Sequence, residues 1–177
     1  VLCLASGGGQ QAPLLAAAGA SVVSLDLSAE QLAKDELVAR RDGLDLRCEQ
    51  GDMADLSRFD DGGFDLVFNP VSVCFVADVR PVWIECARVL RPGGRLLSGF
   101  LNPAFYLFDP DAIEDDRLVV RGRLPYREDR PDALPPGRRA EVEQGDAMEF
   151  SHTLTDLVAG QLDAGFVLRG LYEDGWH

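Results

Sequence analysis

From its first residue the sequence alternates between short apolar or β-branched runs and longer segments with helical spacing, and this limits the fold more than any other feature. Residues 1–5, 21–25, 44–49, 64–68 and 95–100 read as strands, while 11–18, 28–41 and 79–90 read as helices. Strands separated by helices cannot form hairpins, so each must return through a right-handed crossover to a parallel neighbour. The expected fold is α/β, a doubly wound, mostly parallel sheet. Local signals agree. Gly19 ends the first helix, and Ser28 with Gln31 forms a capping box for the second. In the third, Val82, Cys86, Val89 and Leu90 share a face before Arg91-Pro-Gly-Gly94 stops it. A last helix over 153–163, closed by Gly165, and a last strand over 166–172 complete the pattern.

Bulk properties exclude several classes. With 46% hydrophobic and 27% charged residues in 177, the chain suits one folded domain. No apolar run approaches the roughly 20 residues of a membrane helix. Thirty acidic against seventeen basic residues give a net charge of −13, which repels phosphate backbones and argues against nucleic acid as a partner. Cys3, Cys48, Cys74 and Cys86 show no CxxC spacing and sit in apolar stretches, which suits buried thiols in a reducing, cytoplasmic setting.

In an open parallel sheet, ligands bind beyond the carboxyl ends of the strands. Ala5-Ser-Gly-Gly-Gly9 lies there, and its glycines allow a sharp turn and close approach to a ligand. Asp26 ends the second strand, where a carboxylate can accept hydrogen bonds from both hydroxyls of a ribose. Gly7-x-Gly9-x-x-Ala12 also satisfies the loose dinucleotide fingerprint, so an NAD-binding domain remains an alternative at this point.

Four motifs in order point elsewhere. Val1-Leu-Cys-Leu-Ala-Ser-Gly-Gly-Gly9, Asp26, Gly51-Asp52-Met53 followed by Asp60-Asp-Gly-Gly-Phe-Asp-Leu-Val67, and Val89-Leu-Arg-Pro-Gly-Gly-Arg-Leu96 together resemble the class I S-adenosylmethionine-dependent methyltransferases. The likeness is to the small-molecule branch that includes the ubiquinone and menaquinone enzymes. Ala5 and Ser6 depart from the usual loop but are small, and Cys3 stands where many members are acidic. Asn69-Pro70 resembles the opening of the N-P-P-Y motif of enzymes that methylate planar nitrogens, without its second proline and aromatic residue.

The resemblance implies a Rossmann-like methyltransferase fold with S-adenosyl-L-methionine as cofactor and a small-molecule acceptor. It places Ala5, Ser6, Gly7 and Gly9 at the methionine moiety, Asp26 and Leu27 at the ribose, Asp52 and Met53 at the adenine, and Asn69, Pro70, Val71 and Ser72 near the reacting centre. No residue is assigned as catalytic base and no metal site is expected; of the two histidines, His152 precedes a helix and His177 ends the chain. A non-catalytic cofactor-binding or interaction domain is the rival reading. The family's first strand usually follows helices that cover the cofactor, and its sixth strand usually leads to a seventh. A sequence running from Val1 to His177 is thus expected to be a trimmed core with reduced turnover.

The expected organisation is a cofactor-binding core over 1–100, an insertion over 101–150, and a final helix and strand of the core over 151–177. The insertion holds six of the ten prolines, and loops of that length often act as lids. Phe105, Tyr106 and Phe108 are expected to line or cover the acceptor pocket, 118–126 to supply one strand of a hairpin, and 127–143 to be exposed and mobile.

Overall fold

A computed structural model describes residues 1–109, 112–113, 115–130, 134 and 136–173. Five strands, β1 (Leu2–Leu4), β2 (Val22–Asp26), β3 (Leu46–Gln50), β4 (Phe64–Asn69) and β5 (Leu90–Ser98), form one sheet in the order β3-β2-β1-β4-β5. Every pair is parallel. The order reverses at β1, so the carboxyl end of this central strand is the switch point at which open sheets bind ligands.

Burial alternation explains the layers. Cys3 faces one side with Ala12, Ala16 and Val22, beneath α1 (Gln11–Ala17) and near α2 (Ala29–Asp42). Leu2 and Leu4 face the other with Val67, Val82, Trp83, Cys86 and Val89, beneath α3 (Arg80–Val89). Leu2, Cys3 and Leu4 are all fully buried, as a central parallel strand covered on both faces requires. Burial pushes the Cys3 thiol up to about 11 and the Cys86 thiol to about 12, so both are inert hydrophobes.

Three elements differ from expectation. Arg91-Pro-Gly-Gly94 does not separate α3 from the fifth strand. Leu90 is already extended and pairs with Phe64, the next pair is Leu66 with Arg95, and 91–94 bulge out between them. Gly93 supplies the turn at φ 79°. The final helix is irregular as well, with a wide π-type turn over Thr155–Ala159 before α5 (Gly160–Asp163). Trp83 Nε1 donates to the Asp156 carbonyl at 2.9 Å, and a Cβ on Gly160 would lie 3.0 Å from Trp83 Cδ1. The indole thus occupies space and an acceptor that a regular turn would use. Finally, 166–172 forms no strand. Val167, Leu168, Leu171 and Tyr172 are exposed, because alternating apolar residues need a sheet edge and a face to bury against, and the described residues offer this segment neither. His177 lies outside the described residues.

The insertion and the residues just after it are tied to 73–77, which opens with the short turn Val73–Phe75 after β4. Phe150 N donates to the Cys74 carbonyl (2.8 Å), Arg127 Nη1 donates to the Ala77 carbonyl (3.2 Å), and His152 Nε2 lies 2.9 Å from the Val73 carbonyl. Instead of a hairpin strand over 118–126, two isolated antiparallel bridges form, Phe108 with Val120 and Arg127 with Phe150. The stretch over 127–143, which includes α4 (Pro136–Glu143), is not uniformly exposed, since Glu128 and Leu134 are buried. Glu128 accepts two bonds from Arg138 (2.9 Å each), one from Tyr126 Oη (2.6 Å) and one from Glu149 N (2.8 Å). Burial pushes its carboxyl up, but those donors outweigh burial and leave it below the ordinary value. A carboxylate with this many partners can lie inside a polar-looking segment.

Candidate active site

The glycine loop is shaped by what its amides bind. Ala5 (φ 44°), Gly8 (φ 127°) and Gly9 (φ 80°) reverse the chain at the end of β1. Gly7 N donates to Asp26 Oδ2 at 3.0 Å, Gly8 N to the Gln31 carbonyl at 3.1 Å, and Gly9 N to Asp35 Oδ1 at 2.7 Å. Gly7 has no room for a side chain, because a Cβ would lie 2.7 Å from Gln31 Cβ. All three amides therefore turn inward onto the corner between β2 and α2. The capping box is only half formed. Ser28 Oγ accepts from Gln31 N (3.3 Å), while Ser28 N goes to Asp26 Oδ1 (2.8 Å). The Gln31 side chain instead accepts from Lys34 Nζ at 3.1 Å.

Asp35 was not singled out from the sequence, although it is fully buried and central to the loop. Its second oxygen accepts from Ser24 Oγ at 2.7 Å. Burial pushes its carboxyl above the ordinary 3.8, and the bonds from Ser24 and Gly9 offset this only in part. The signal was available: Leu32, Asp35 and Ala39 form the buried stripe of α2, and a carboxylate on such a stripe needs partners.

A cleft of about 470 Å³ opens above the loop, within the usual range for a small-molecule site. Of the expected residues, Ala5, Gly7, Pro70, Val71 and Ser72 line it, and Asp26 is fixed directly beneath Gly7. Gln10, Gln11, Gln31, Lys34 and Phe75 also line it and were missed, although a glutamine pair directly after the glycines was a visible cue. Gly9 packs against α2.

Other expected residues stand off the cleft. The Asn69 side chain points inward, donating to Met53 Sδ (3.5 Å) and accepting from Ser72 Oγ (3.0 Å), so it braces the turn from below. Met53 is buried, Asp52 Oδ1 accepts from Ala54 N (2.8 Å), and Leu27 is exposed with its carbonyl bound by Gln50 Nε2 (2.9 Å). Phe105, Tyr106 and Phe108 are absent from the cleft wall. Tyr106 stacks on Tyr126 (5.2 Å between ring centres) and donates to Glu149 Oε2 at 3.3 Å. With Cys74 and His152 it lines a separate pocket of about 10 Å³, barely the size of one water.

The electrostatics discriminate between ligands. A dinucleotide pyrophosphate needs free loop amides and tolerates little negative charge. Here the glycine amides are already satisfied, and the Asp26 and Asp35 carboxylates lie beneath them. That arrangement suits a ligand with positive charge and hydroxyl donors. The Ser6 hydroxyl is buried beside the Cys3 thiol and stands off the cleft wall.

Comparison with known proteins agrees: the model of the methyltransferase domain family matches residues 2–98. The chain belongs to the class I S-adenosylmethionine-dependent methyltransferases. An uncharacterized methyltransferase, YbaJ, of Bacillus subtilis (strain 168) is 49% identical over 175 residues, covering 98% of this methyltransferase and 68% of the relative. A ubiquinone biosynthesis O-methyltransferase of Cronobacter sakazakii is 33% identical over 102 residues, 58% of this chain and 42% of that enzyme. The chain thus spans less than half of that second relative. Among solved structures, an S-adenosylmethionine-dependent methyltransferase from Mesorhizobium loti superposes with a TM-score of 0.73 at 18% identity, over 96% of this chain and 74% of that one, a likeness of fold.

Proposed function

We propose that this domain holds S-adenosylmethionine in the cleft and passes its methyl group to a small-molecule acceptor. The inward-turned glycine amides over Asp26 and Asp35 carry this reading, because they favour a cationic nucleoside over a pyrophosphate. When bound, the cofactor supplies an electrophilic methyl on a sulfonium that a nucleophile displaces in line. Asp26 accepts from the ribose hydroxyls with the lone pairs that Gly7 and Ser28 leave open, and Leu27 packs at the rim. Ala5 and Gly7 meet the methionine end with Ser6 and Gly9 supporting the loop, and Asp52 meets the adenine with the buried Met53 behind it. Pro70 and Val71 border the reacting side, with Asn69 holding their turn. Positioning alone can supply roughly 7–11 kcal/mol in well-oriented systems, so no base is required for an acceptor that arrives deprotonated. We further place the protein in the cytoplasm, where its free thiols would persist, and assign it no nucleic-acid partner on the strength of its charge.

Calorimetric titration tests the cofactor. S-adenosylmethionine and S-adenosylhomocysteine should bind, NADH should not, and NADH binding in their place would overturn the reading. Asp26→Ala should weaken S-adenosylhomocysteine by about tenfold to a hundredfold, the loss of a charge-assisted bond of about 1.5–3 kcal/mol. Unchanged affinity would show that the ribose lies elsewhere. Binding without methyl transfer to any acceptor would favour the non-catalytic alternative.

We assign the insertion over 101–150 as the acceptor-side lid, because it is fastened to the turn that follows the cleft residues Val71 and Ser72. Phe105 is partly exposed on it and is its leading contact. Phe105→Ala should lower acceptor turnover severalfold while S-adenosylhomocysteine affinity stays constant; equal turnover in the two proteins would reduce the insertion to a surface ornament.

A further inference from the structure

The amino-acid end of the cofactor carries an ammonium and a carboxylate, and on the cofactor reading above the cleft must accommodate both. The negative charge beneath the loop favours the ammonium at a distance, although Asp35 is buried and already bonded through both oxygens. The carboxylate has no such welcome. Those two carboxylates repel it, and the amides of Gly7, Gly8 and Gly9, which could have bound it, are committed to Asp26, Gln31 and Asp35.

Among the described residues lining the cleft, one side chain is cationic, that of Lys34. It is also the sole lysine of the sequence; every other basic residue is arginine. Lys34 lies on α2 against the glycine loop, where a Cβ on Gly9 would approach the Lys34 Cβ to 3.6 Å. Its Nζ donates to Gln31 Oε1 at 3.1 Å, and Gln31 is itself part of the cleft wall. Glu30 approaches at 3.8 Å across an exposed i,i+4 pair, a contact too weak in water to hold the ammonium against a better acceptor. An ammonium has three donors, so Lys34 can keep Gln31 and still bind an anion.

We propose that Lys34, steadied by Gln31, recognises the carboxylate of the cofactor's amino-acid end and makes the site selective for the intact cofactor. The selectivity is directional: removing the ligand's carboxylate should cost affinity only while Lys34 is present.

The test compares the parent protein with Lys34→Met and Lys34→Arg by calorimetry, using S-adenosylmethionine and decarboxylated S-adenosylmethionine as ligands. Lys34→Met should bind S-adenosylmethionine about tenfold more weakly, the low end for a charge-assisted bond at a half-exposed site, and the decarboxylated ligand as well as the parent or slightly better. Lys34→Arg should recover most of the loss. Because Lys34 is on the exposed side of a helix, unfolding midpoints should match. Lys34→Met binding S-adenosylmethionine like the parent, or losing both ligands equally, would overturn the assignment while leaving the cofactor reading intact. A folded parent that binds neither ligand would overturn both.

Discussion

Asp35→Ala is expected to cost about 3 kcal/mol of stability and to abolish measurable cofactor binding, whereas Asp35→Asn should do neither. The alanine leaves Gly9 N and Ser24 Oγ without the acceptor each now has, and Ser24 and Asp35 are both fully buried. A stranded buried polar group costs roughly 1–3 kcal/mol, and two are created. The relief of removing a buried charge offsets part of this. Gly9 also loses the bond that holds its positive φ, so the loop can leave the shape on which the cleft depends. Asparagine keeps an oxygen for Gly9 and an amide for Ser24. The pH dependence separates charge from shape. Burial raises the Asp35 carboxyl above its ordinary 3.8, so the folded state holds this proton more tightly than the unfolded chain does. The associated stability is present below about pH 3.8 and is lost as pH rises through the folded value. Relative to Asp35→Asn, the parent should therefore weaken with rising pH and level off once Asp35 is ionised. Denaturant unfolding of both proteins across that range checks this; a constant difference would mean that Asp35 carries no such shift.

Much of the core was legible because its signals are local. The β-branched run before Asp26, the Ser28 cap and the glycines after β1 each constrain a few neighbouring residues, and alternation then leaves few topologies. Asp26 stood out because it ends a strand, and the structure places its carboxylate on the amides of Gly7 and Ser28. The misses involved distant partners. Whether Asp35 pairs with Gly9 depends on how α2 seats against the loop, which no local spacing encodes. The bulge over 91–94 reads as a stop because Pro and Gly are punctuation in isolation, yet the β4 edge keeps Leu90 and Arg95 in one strand. Conversely, 166–172 has strand-like residues and no edge to pair with. Within the insertion, 127–143 was expected to be exposed, but Arg138 satisfies Glu128 well enough for the carboxylate to be buried.

The second large effect belongs to Trp83. Trp83→Ala should destabilise the protein by about 3–5 kcal/mol, the usual range for emptying a large buried aromatic site. The side chain is fully buried between α3 and the final helical segment, and its neighbours cannot easily collapse into the space. Gly160 already sits as close as a residue without a side chain allows, and Leu157 is packed in the same cluster. The indole also holds the Asp156 carbonyl, which the wide turn over Thr155–Ala159 leaves available. Trp83→Phe should cost much less, about 1 kcal/mol for the lost hydrogen bond plus a modest packing change. Since α3 and the segment over 155–163 are joined mainly here, with Arg80 bridging Asp156 (2.8 Å) and Asp163 (3.0 Å) at the surface, the damage should be directional. Hydrogen exchange should show Trp83→Ala losing protection first over 155–163, while the amides of β1 and the glycine loop, bonded within the sheet and to Asp26, Gln31 and Asp35, hold until global unfolding. An unfolding midpoint equal to the parent's, or protection lost uniformly across the chain, would mean that Trp83 does not fasten the last helix to the sheet.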